Sequence, residues 1–155
     1  MKNSLKVIVI AFIGIIILIM AFQFVSYGWE SVTPNAVVYT SDNKPVKISL
    51  EVADTHEKRM EGLMNRTYLD SDSGMIFVFD YPAKHAFWMK NTLIPLDMIY
   101  INDDGTVVDI KYKAVPFDTT PLEPCDECIC VIEVNGGFCE EHGIKIGDKV
   151  KLILD

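Results

Sequence analysis

The sequence predicts a mainly β domain with short helices, an α+β arrangement that closes as a compact barrel-like or sandwich domain behind one N-terminal transmembrane helix. Three observations carry that reading. Beyond residue 36, short apolar runs, several of them alternating with polar residues, are separated by clusters of turn-forming residues. Two stretches among them carry helix-start or helix-stop signals. The opening stretch Val7 to Val25, VIVIAFIGIIILIMAFQFV, is uncharged and long enough to cross roughly 30 Å of hydrocarbon at about 1.5 Å per residue.

The chain therefore divides into an anchor over residues 1–26, a linker over 27–36 and a β-rich domain over 37–155. Lys2 and Lys6 precede the apolar stretch, and no basic residue follows until Lys44. That asymmetry places the N-terminus in the cytoplasm and the domain outside it, held at the cell membrane. A cleaved signal peptide is the alternative, and it exports the domain as well. In the linker, YGWESVTPNA, Trp29 stands where an interfacial aromatic anchor would sit. All 22 acidic residues follow the apolar stretch, whereas two of the 14 basic ones precede it. Such a surface repels phosphate backbones, which argues against nucleic acid and leaves the membrane, a small polar ligand or an envelope protein as partners.

Within the domain, SDNKP at Ser41 to Pro45 marks a turn, and VKISLEV, from Val46 to Val52, alternates as a half-buried strand does. Asp54 or Thr55 then caps a helix, with Glu57 reaching back and Met60, Leu63 and Met64 on one face. Arg66 closes that helix, where a cation meets the carbonyl end. GMIFVF, from Gly74 to Phe79, reads as a buried strand that ends in the turn DYP. LDMIYI (Leu96 to Ile101) and TVVDIKY (Thr106 to Tyr112) flank the turn NDDG, and CICVIEV (Cys128 to Val134) leads into the turn NGG. A second short helix runs from about Phe138 to His142 and stops at Gly143.

Taken in order, HEKRMEGLMNR, GMIFVF, FWMKNTLIPLDMIYI, NDDG, VIEVNGG and GIKIGDKV resemble the markers of the DUF192 family of exported or membrane-attached bacterial and archaeal proteins. The resemblance covers nearly all of the chain after Ala36. It implies a compact β-rich fold with short helices, and no defined activity, since the family is one of unknown function.

The polar residues on those motifs are Arg66, Lys90, Asn91, Thr92, Asp97 and Glu133, and with Trp88 they form the candidate ligand-binding set. Asn91 and Thr92 also suit a turn before an apolar strand. Glu133 ends an otherwise apolar row, so as a buried carboxylate it needs a partner, and Lys90 and Arg66 are the available cations. A carboxylate pair such as Asp97 and Glu133 would serve a weak hydrolase, the enzymatic alternative. The histidines His56, His85 and His142 stand in unrelated contexts, and no phosphate loop or nucleophile motif is present. The methionines sit at apolar positions and read as core rather than as copper ligands.

Cysteine spacing is the other local signal. Cys125, Cys128, Cys139 and His142 follow C-x2-C and C-x2-H, a spacing that suits tetrahedral zinc. In an exported domain, Cys125, Cys128, Cys130 and Cys139 read instead as two disulfides, so no cofactor is favoured and zinc is the alternative. Free or redox-active thiols are the third reading.

Overall fold

The computed structural model describes residues 33–42 and 44–154. The expected transmembrane span from Val7 to Val25 lies outside the described residues. Among the described residues, no helix is long and apolar enough to cross a membrane.

Seven strands form one sheet in the order β5-β4-β6-β3-β2-β1-β7. Strand β1 (Asn35–Tyr39) pairs antiparallel with β2 (Pro45–Ala53) and with β7 (Lys149–Ile153). Helix α1 (His56–Glu61) carries the chain from β2 to β3 (Ser73–Ala83), which runs parallel to β2. The remaining pairs, β3 with β6 (Cys128–Asn135), β6 with β4 (Leu96–Ile101) and β4 with β5 (Val107–Ala114), are antiparallel. Helix α2 (Phe138–His142) follows β6. The sheet curls into a half-barrel whose edge strands meet at one end, where Val107 N–H donates to the Asp148 carbonyl at 2.9 Å and Val150 N–H to the Gly105 carbonyl at 2.8 Å. A second sheet is not formed among the described residues, so the architecture is barrel-like and the sandwich alternative falls.

Period-2 alternation gives the sheet two apolar faces. The inner face gathers Val38, Ile48, Ile76, Ile99, Ile132 and Val134, closed at one end by Phe138 of α2. The outer face carries Met75, Phe77, Met98, Tyr100 and Val131 and would be wet if left bare. It is covered by Leu63 and Leu69 after α1 and by Met89 from the segment between β3 and β4. Gly74 lets β3 close on β6, because a Cβ there would run into the backbone carbonyl of Glu133.

Several boundaries differ from expectation for local reasons. Helix α1 starts where Thr55 Oγ1 accepts the Lys58 N–H at 3.3 Å, but it ends at Gly62, whose φ is 51°, rather than at Arg66. The DYP stretch is not a turn. Strand β3 runs through it to Ala83 with a register shift after Val78. That shift also undoes the strict alternation of β6, so Cys130 joins the inner cluster while Cys128 joins the outer one. The linker's last two residues, Asn35 and Ala36, already belong to β1.

Candidate functional site

The outer face is incompletely covered, and the gap is a cleft of about 410 Å³. One wall is α1 and the residues after it, His56, Arg59, Met60, Gly62, Leu63 and Met64. The opposite wall is the segment from His85 to Trp88, with Thr92 and Pro121 beside it. Phe77 and Phe79 of β3 and Glu133 of β6 line it from the sheet. The aromatic rings set each other's orientation. Phe87 stands edge-on to Phe77 with ring centres 4.9 Å apart, and His85 stacks on Phe79 at 3.6 Å.

Glu133 reaches this cleft through register. Its neighbours across the ladder are Met75 and Met98, so its side chain projects on the outer, apolar face. It is only 4% exposed. Among the described residues its carboxylate takes part in no ion pair. Burial alone pushes its pKa up from the ordinary 4.5 to about 8. The acid is therefore mostly protonated at neutral pH when the cleft is empty. The neighbouring Tyr100 hydroxyl donates instead to the Leu122 carbonyl at 2.9 Å, and burial raises that phenol far above its usual range.

The partners expected for Glu133 are elsewhere. Arg66 lies beyond the helix it was expected to close and forms a two-pronged ion pair with Glu51 of β2, one arm at 2.8 Å. Lys90 is exposed, with its ammonium 5.4 Å from the centre of the Trp88 ring. It shares a tight turn with Asn91, whose φ is 52°, closed by the Thr92 N–H donating to the Met89 carbonyl at 3.1 Å. The polar break in the FWMKNT stretch is thus a turn, and it presents Trp88 and Thr92 to the cleft rather than Lys90 or Asn91. Arg59 is the cation in the wall. Its guanidinium donates to the backbone carbonyls of Asp54 and Val78, at 2.9 and 2.8 Å, and lies 5.3 Å above Phe79.

Asp97 belongs to the other face. It pairs in register with Val134, whereas Glu133 pairs with Met98, so the two carboxylates project from opposite sides of the sheet. No hydrolytic pair can form from them. Asp97 is fully buried and accepts three backbone N–H groups, from Lys113 at 2.7 Å and from Gly137 and Cys139 at 2.9 Å. Two of those donors open α2, so this acid is a tertiary helix cap.

Of the three cysteine readings, the structure has free thiols and not the two disulfides. All four cysteines are free thiols, with Cys125 exposed and the other three buried. They are spread over a surface loop, the outer cluster (Cys128) and the inner cluster (Cys130 and Cys139). Among the described residues no three His, Cys, Asp or Glu side chains gather as a metal site. His142, the fourth zinc candidate, stacks on Phe138 at 4.1 Å.

Of the candidate set, Trp88, Thr92 and Glu133 line the cleft, while Arg66, Lys90, Asn91 and Asp97 do not. Sequence reasoning missed Arg59, His85 and the rings of Phe79 and Phe87. The available signal was the predicted helical face of Met60, Leu63 and Met64, all three of which line the cleft although only Met60 lies on α1, and His56 and His85 prove to share one site.

The family model DUF192, described as Uncharacterized ACR, matches residues 37–152. The chain belongs to the DUF192 family. A crystal structure of a protein of unknown function from Novosphingobium aromaticivorans is 40% identical over 76% of this chain and 83% of that one, with a TM-score of 0.73. A crystal structure of a "putative transcription regulator" from Sinorhizobium meliloti is 31% identical over 81% of this chain and 98% of that one, with a TM-score of 0.75. No curated protein matches the chain.

Proposed function

We propose that this DUF192 domain binds a small ligand in the cleft between α1 and Trp88, with Glu133 fixing the ligand's polar end. The observation that carries the reading is a carboxyl 4% exposed, without an ion pair among the described residues, on the lining of an aromatic cleft. A buried polar group costs free energy unless something satisfies it, and ligand sites are commonly apolar clefts with a few such groups. Trp88 favours a ligand over a flat protein partner, because it lines a concavity although it is 42% exposed. Regulation of nucleic acid draws no support from a chain of net charge −8.

The test is a fragment screen on the full-length protein by NMR. Hits should move the Trp88 indole and Thr92 amide signals, and Ala86→Trp, placed at an exposed position of the cleft lining, should abolish them. Fragments that bind the Ala86→Trp protein unchanged would put the ligand site elsewhere.

A further inference from the structure

We infer that the cleft selects an organic cation, a protonated amine on an apolar or aromatic body, with Glu133 as its buried counter-ion. The inference rests on the ligand-site reading above and narrows it to one chemistry. A carboxylate this buried is tolerated as a charge only beside an opposite charge, and Arg59, the cation in the wall, is committed to the carbonyls of Asp54 and Val78. The aromatic residues already accept cations on their faces, Arg59 over Phe79 at 5.3 Å and Lys90 over Trp88 at 5.4 Å. Aromatic rings present their negative faces to a cation, but Phe79 is taken by Arg59 and His85 and Trp88 by Lys90, so the ammonium's charge is met by Glu133 while the rings hold its apolar body. The acidic chain also raises the local concentration of cations and repels anions.

Binding is then coupled to a proton. The titratable and charged groups that line the cleft with the acid are His56, Arg59 and Glu61 on α1 and His85 on the opposite wall, and Tyr100 on β4 is its electrostatic neighbour. In the empty cleft Glu133 holds its proton at neutral pH, because burial raises its pKa to about 8. An arriving ammonium stabilises the carboxylate, and the carboxyl proton leaves to solvent as the ion pair forms.

Calorimetry on the full-length protein decides this with three probes of similar body: phenethylamine, 2-phenylethanol and 3-phenylpropionate. Titrations into the Ala86→Trp protein subtract binding outside the cleft. The amine should bind at least about tenfold tighter than the alcohol and the acid should bind weakest. At pH 7 the heat of amine binding should depend on the buffer's ionisation enthalpy, reporting up to about one proton released. Glu133→Gln should erase both the amine's preference over the alcohol and the proton release, and release that persists in this variant would assign the proton to another group and overturn the proposal. The proton count needs no variant, and Glu133→Leu serves if the glutamine form is unstable. Equal affinity for amine and alcohol, both lost in Ala86→Trp, would overturn cation selection and leave the ligand site standing. Absence of any Ala86-sensitive binding by the three probes would overturn the cation proposal, and the fragment screen then judges the site on its own.

Discussion

Glu133 shows how one residue can link stability to pH in the direction opposite to most acids. Its pKa is higher in the fold than the ordinary 4.5, so between about 4.5 and 8 the folded state binds a proton that the unfolded state has lost. Stability from this group is present below pH 4.5, declines as pH rises, and is gone above about 8. The shift corresponds to on the order of 5 kcal/mol at most, since each pH unit is worth about 1.4 kcal/mol. Glu133→Gln, which mimics the protonated acid, should therefore unfold at higher urea than the parent at pH 9 and show little difference at pH 5. Equal urea midpoints for the two proteins at pH 9 would mean that the acid is solvated or paired. The expectation that this residue is special was legible in sequence, because it interrupts an apolar row. Its expected partners were not, because Arg66 finds Glu51 and Lys90 finds Trp88 only once α1 stops at Gly62 and the turn at Asn91 closes.

Elements that recur at short range were read most accurately. Strand β4 was expected and found at Leu96 to Ile101, and α2 at Phe138 to His142, because alternation and a terminating Gly143 are local signals. Strands β1 and β7 were not singled out, since each is short and depends on pairing with the other across the whole chain. Asp97 belongs to the same class of non-local information. Helix α2 has Gly137 at its N-cap with no side-chain cap of its own, so the acid from β4 supplies the missing acceptor. Asp97→Asn would set an amide donor against a backbone donor, leaving a buried N–H unsatisfied at a cost of roughly 1–3 kcal/mol. The expected outcome is a lowered urea midpoint together with faster amide exchange at Gly137 and Cys139. An unchanged midpoint with normal protection at those amides would show that water or another group replaces the carboxylate.

For the domain formed by the described residues, the decisive fact is a single curled sheet that must bury both of its faces. The inner face is closed by curling and by α2, but the outer face depends on α1 and the segment around Met89, and the place where that cover is incomplete is the cleft. Fold and candidate site thus have one cause, and the motif FWMKNT sits beside the gap because it is part of the cover. The same two-faced burial sets the chemistry of the cysteines, since three of four thiols lie in one core or the other. Burial raises Cys128, pushes Cys130 up to about 12, and raises Cys139 further with the help of the Asp97 charge, so little thiolate exists in the folded state. Iodoacetamide should modify the folded protein once, at Cys125, and four times after unfolding in guanidinium. The three slow thiols should react together at the rate of global opening, because two cores built on one sheet cannot be exposed separately. A mass lower by about 2 or 4 Da without reductant would overturn the free-thiol assignment and establish disulfides. Rapid labelling of a second cysteine in the folded protein would show instead that one face of the sheet opens on its own.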